Sequence, residues 1–159
     1  PGLTTTQIKG LNATDNTALT AGQIGALSAA QVGAFSTTNL NALTTTQLAA
    51  FTTTELGSLT TTQASGLTST TVNELAATQF AALGSKQVGS LSTTAITALN
   101  TTESGALTAT QVPGLTVAQI AAFTSTTFNS LTSTQLDALT TTQVDSLSPA
   151  QVTTYLANA

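Results

Sequence analysis

An apolar residue recurs every eight positions along this chain, with no break in phase, from Leu3 to Leu147. Taking that residue as position 1 divides residues 3–154 into nineteen consecutive octads, octad 1 starting at Leu3 and octad 19 at Leu147. Position 1 is Leu or Phe in all nineteen, and position 6 is Val, Ile, Leu or Phe in sixteen. Position 2 is Thr, Ser or Asn in seventeen, position 5 is Gln or Glu in fourteen, and position 8 is Gly, Ala or Ser in seventeen. A fixed period of this kind marks a repeat architecture and takes precedence over residue-by-residue assignment.

The polar positions say which element each octad builds. Thr or Ser followed three residues later by Gln or Glu is the capping box, in which the hydroxyl accepts from the N3 amide and the N3 side chain reaches back to the N-cap amide. Apolar residues at N′ and N4 form the hydrophobic staple that accompanies it. Leu131, Thr132, Gln135 and Leu136 fill the N′, N-cap, N3 and N4 slots, and Leu139, Thr140, Gln143 and Val144 fill them again one octad later. The same mapping places Pro149 at N1, where its missing N–H costs nothing. Each octad therefore reads as a helix start, and the next start arrives after about one and a half turns at about 3.6 residues per turn.

The pattern predicts an all-α, solenoid-like superhelical array of very short capped helices, one per eight residues. A single continuous helix fits poorly, because eight residues rotate the chain by about 80° beyond two turns and the leucines would spiral over every face. The runner-up is a Thr-rich β-solenoid: an even period keeps every position-1 residue on one strand face, and Thr favours strand. That alternative leaves Gln at position 5 and the small residue at position 8 unexplained.

Departures from the rule are few. Asn16, Ala64 and Ser104 replace the apolar residue at position 6, and Ala76 and Gly84 are the two weak caps. The phase ends at Tyr155–Leu156, where Leu occupies the cap slot. Pro1–Gly2–Leu3–Thr4 repeats Pro113–Gly114–Leu115–Thr116, so Pro1 and Gly2 read as positions 7 and 8 of a further octad. Residues 1–159 thus read as one continuous array with partial octads at both ends, a window of a longer chain.

An octad cannot stand alone. Ordering eight backbones costs about 8–16 kcal/mol, whereas burying one Leu and one Val recovers about 3–6 kcal/mol. Both apolar positions must therefore be covered by neighbours, either along the same coiled chain or on other chains, and a small position 8 lets backbones approach. Position 4 is Thr in fourteen octads, whereas position 3 also admits Ser, Ala, Val117 and Pro149. Capping explains neither fact. Position 3 is expected to face solvent and position 4 to make a repeated contact across a seam between chains.

Charge and candidate chemistry narrow the function classes. Charged residues make up 5% of the chain, with two basic residues and a formal charge of −4, so a surface that tracks phosphates is excluded. There is no Cys for a disulfide or thiolate site, and no apolar run approaches the roughly 18 residues that argue a membrane span. Asn12 and Asn100 fit the glycosylation sequon, but both sit at position 2, where Asn is another good cap. The Ser and Thr hydroxyls remain open to glycosylation. Asp137 and Asp145 share position 7 in successive octads, yet calcium sites want 6–8 oxygens, and solvated acids are the better reading. Glu55 and Glu103 occupy position 5 as capping residues. The hydroxyls have no His beside them, and Lys9 and Lys86 lie far apart, so no nucleophile–base pair, metal or cofactor is expected and the chain reads as no enzyme.

The motif L-[TS]-x-x-[QE]-[VIL]-x-[AGS] resembles octapeptide tandem arrays in large, low-charge, exported proteobacterial proteins. That resemblance covers the whole chain and implies an extracellular or cell-surface bacterial location and a fibre role. The expected function is a structural one: a self-assembling filament subunit whose partners are copies of itself, several chains wound together. The alternatives are a single-chain adhesin stalk or spacer, and an ice-binding array of ranked threonines.

Overall fold

The computed structural model describes residues 2–158. Among them are eighteen α-helices and one 3-10 helix, one element per octad, and no strand. The array is therefore all-helical, which removes the β-solenoid alternative. Helices such as Thr45–Ala49, Thr61–Ser65 and Ser133–Asp137 are five residues long.

Each octad starts and stops by local means. In octad 17 the Thr132 side chain accepts from the Gln135 N–H at 3.3 Å, and Gln135 Oε1 accepts from the Thr132 N–H at 2.6 Å. Octad 18 repeats the pair between Thr140 and Gln143 at 3.3 and 2.7 Å. The helix ends when position 8, still helical at Ala138 (φ −81°, ψ −6°), is followed by extended residues. The Leu139 N–H then donates to the Leu136 carbonyl at 3.1 Å and closes the corner. No described residue has positive φ, so no left-handed residue is needed at the helix end, and Ala or Ser serves as well as Gly.

Octad 19 shows what the caps do by lacking the next one. With Leu156 where Thr would stand, the helix that begins at Pro149 runs on to Asn158, ten residues long. Ala76 and Gly84 supply no side-chain cap, yet their N–H groups still donate to Gln79 and Gln87, and both octads remain helical.

The short helices are laid around a coil. Helices three octads apart pack together throughout, for example Ser85–Ser90 on Thr61–Ser65 and Thr53–Gly57 on Ala29–Val32. Positions 1 and 6 point inward and form one continuous core running from Ile8 to Leu139. Leu131, Leu136 and Leu139 lie within it, and Val144 is half-buried against it. Position 4 is exposed in all nineteen octads, as position 3 is in most. Packing distinguishes them: position 3 is half-buried at Ala21, Thr37, Ser69, Ala77 and Ser85, whereas position 4 never is.

The turn-to-turn seam as candidate functional element

Position 5 does more than cap. From octad 6 onward its side chain is buried in every octad, and in most of them it is Gln. While its Oε1 accepts from the N-cap amide of its own helix, its Nε2 donates to main-chain carbonyls of the preceding turn. Gln143 Nε2 reaches the Val112 and Leu115 carbonyls at 2.9 and 2.7 Å. Gln135 reaches Ser104 and Leu107 at 3.0 and 2.6 Å. The same pair of donations, to residues 31 and 28 positions earlier, is made by Gln47, Gln63, Gln79, Gln87, Gln111 and Gln119.

The two acceptors explain why the amide is needed. The position-6 carbonyl closes one short helix, and the position-1 carbonyl lies just before the next. The position-6 carbonyl already accepts from the next position-1 N–H, as Val112 does from Leu115 at 3.1 Å, so the Gln adds its second bond, while no main-chain donor reaches the position-1 carbonyl. Each Gln therefore sits over the junction of two octads below it. A turn consequently holds about 28 residues, so helices of successive turns are staggered rather than stacked.

The backbones approach closely on either side of this ladder. A Cβ added at Gly57 would stand 3.2 Å from the Ala82 carbonyl oxygen, and one at Gly89 would collide with the Gly114 carbonyl. A Cβ on Gly66 would meet the Thr37 side chain at 2.5 Å. Gly57 and Gly89 stand at position 7 and face position 8 of the turn above, whereas position 8 faces position 3 of the turn below at Gly66 and at Gly114, which lies against Ser85.

Where position 5 is not Gln, the seam changes. Glu55 and Glu103 keep the capping half, accepting from the Thr52 and Asn100 N–H groups at 2.6 and 2.9 Å, although both are buried. Neither makes the cross-turn donation. Asn39 reaches a single carbonyl, that of Leu11, at 2.9 Å. Ala95 has no polar side chain to offer, and Thr127 makes one long donation of 3.4 Å to Leu99. In the first turn the Gln7 and Gln23 side chains are exposed, and Leu3, Leu19 and Leu27 beside them border a cavity of about 490 Å³.

Asn12 caps its helix by accepting from the Asp15 N–H at 2.9 Å, and Asn100 accepts from the Thr102 and Glu103 N–H groups at 2.7 and 3.2 Å. Asp137 and Asp145 are exposed on separate helices. Among the described residues no group of three or more His, Cys, Asp or Glu side chains is placed to hold a metal ion. No described helix is long and apolar enough to cross a membrane.

The cross-turn role of Gln was missed by reading position 5 as a cap alone. The signal was present: Gln outnumbers Glu at position 5 by twelve to two. A pure capping box accepts either, and a helix N-terminus favours the acid.

The model of the ALTTAQ repeat family matches residues 22–53, 29–61 and 80–117. Read as residues, its six letters fall on positions 8, 1, 2, 3, 4 and 5, as in Ala138–Leu139–Thr140–Thr141–Thr142–Gln143, which differs at one place. No curated protein and no solved structure matches the chain. With its unbroken octads and one helix per octad, the chain is a tandem-repeat protein whose repeats are similar to the ALTTAQ repeat.

Proposed function

We propose that the chain is a structural spacer, a rod whose length is set by the number of octads and which holds whatever flanks it at a fixed separation. One observation carries this reading: after the first turn, the position-1 and position-6 side chains lie in one core of the same chain and the position-5 amides are buried against the preceding turn. In a linear array of this kind stability sums over units and their neighbours, so a rod is extended by adding repeats. The low charge and the hydroxyl-covered exterior suit an inert element, and the resemblance to exported octapeptide arrays favours the bacterial cell surface. No catalytic step, cofactor, nucleic acid or membrane span belongs to this reading.

A second reading, a filament of several chains, draws on position 4. Thr stands there in fourteen octads, exposed in each, and of these only Thr110 makes a side-chain hydrogen bond, with the Thr108 hydroxyl at 2.8 Å. Copies could associate side by side through those rows without sharing a core. Sedimentation equilibrium together with small-angle scattering separates the two. The spacer gives the mass of one chain at all concentrations, with a rod length that falls in proportion when whole turns are deleted. Fibres, or a mass that rises with concentration, would establish the filament instead.

A further inference from the structure

An array of near-identical octads has a register problem that an irregular fold does not. The consensus Gln meets the same two carbonyls in whichever turn lies beneath it, so one octad could loop out and every later turn would still find its contacts. We propose that octads 5 and 9, which both depart from the consensus, form a register key, paired across the seam so that only one alignment satisfies it.

Asn41 supplies its octad 5 side. Its Oδ1 accepts from the Thr68 N–H at 3.0 Å and from the Thr71 hydroxyl at 2.8 Å, and its Nδ2 donates to the Gly66 carbonyl at 2.7 Å. Thr68 is the N-cap of octad 9, and its N–H is free to cross the seam because position 5 of that octad is Thr71. In octads 8 and 10 the equivalent N–H groups, of Thr60 and Ala76, are already taken by Gln63 and Gln79 at 2.8 and 2.9 Å. A slip of one octad in either direction would leave Asn41 facing an occupied amide. The loss of Gln at position 5 and the gain of Asn at position 7, 30 residues apart, are two halves of one device.

Asn16 also crosses the seam, but it meets only main chain, which every octad offers, and so does not select a register. Asn16 stands fully buried at a position that is apolar in sixteen octads, and its Nδ2 donates to the Asn39 carbonyl at 2.7 Å. Asn39 itself occupies a position-5 slot and reaches the Leu11 carbonyl. Asn16 Oδ1 has no partner, so Asn16 is a costly residue to bury.

The test uses the absence of cysteine from the chain. Thr38→Cys and Thr70→Cys, both exposed, carry spin labels on opposite sides of the Asn41 seam, and pulsed dipolar spectroscopy reads their separation after refolding. With the key intact a single distance is expected. The keyless variant Asn41→Ala, Thr71→Gln should fold at least as stably and show a second, displaced distance. A shifted key, Thr71→Gln with Gln63→Thr, frees the octad 8 amide instead and should move population to the displaced distance. One unchanged distance in both variants would overturn the proposal. So would a keyless variant that loses its helical signal, since the key would then be holding the fold and not its alignment.

Discussion

Gln63 Nε2 lies 2.9 Å from the Phe35 carbonyl oxygen, although the two residues are 28 positions apart. The same nitrogen donates to Val32 at 2.9 Å, while Gln63 Oε1 accepts from the Thr60 N–H at 2.8 Å. Changing Gln63 to Glu keeps the acceptor and removes the donor. Leaving a buried carbonyl without its partner costs about 1–3 kcal/mol, so Q63E is expected to lower stability by about that amount. A capping role alone predicts no loss. Urea unfolding followed by circular dichroism decides, and wild-type stability for Q63E would show that the cross-turn bonds contribute nothing.

The reverse change is available at octads 7 and 13. Glu55 and Glu103 are buried at position 5 and make only the capping contact. E55Q and E103Q each restore a donor that can face the carbonyls of the turn below. Each is expected to stabilise by about 1 kcal/mol, the net value of a typical hydrogen bond. The gains should add, because the two sites lie in different turns. A fall in the unfolding midpoint for either variant would contradict the seam described above.

The local half of this fold was legible and the long-range half was not. Leu131, Thr132, Gln135 and Leu136 announce a helix start because capping and stapling act within six residues, inside the reach of a sequence pattern. The coil itself depends on how position 8 and the extended position 1 turn the chain, and a period of eight says nothing about that angle. The small residues at position 8 pointed to a close approach without naming its partner, which is position 3 of the turn below, as at Gly66 and Thr37. The buried amide of Gln135 was hidden because one side chain does two jobs, and the nearer one already explained its presence.

Capping makes its own prediction. Thr132→Ala removes the acceptor for the Gln135 N–H and should cost about 1 kcal/mol. Ser133→Ala, at an exposed position 3, should be neutral or slightly stabilising, since Ala is the better helix former. Ala76→Thr supplies a hydroxyl where none exists and should gain about 0.5–1 kcal/mol. Thermal unfolding of the three variants ranks them. Equal losses at Thr132 and Ser133 would mean that the hydroxyl at position 2 is not what starts the helix.

Two glycines in helices separate backbone propensity from packing between turns. Gly105 lies in the helix Thr101–Ala106, and an added Cβ would meet nothing within 4 Å. Gly105→Ala should therefore stabilise by about 0.5–1 kcal/mol, the usual gain from replacing an interior helical Gly. Gly89 lies in the helix Ser85–Ser90, but a Cβ there would run into the main-chain carbonyl of Gly114 in the next turn. Gly89→Ala gains the same propensity and must push the two turns apart, losing the nearby Gln119 donations to Val88 and Leu91. A net loss of about 1–3 kcal/mol is expected, the range for overpacking a close-packed site. Denaturant titration of the pair tests this directly. If G89A were as stable as G105A, successive turns would not be in the close contact on which the seam depends.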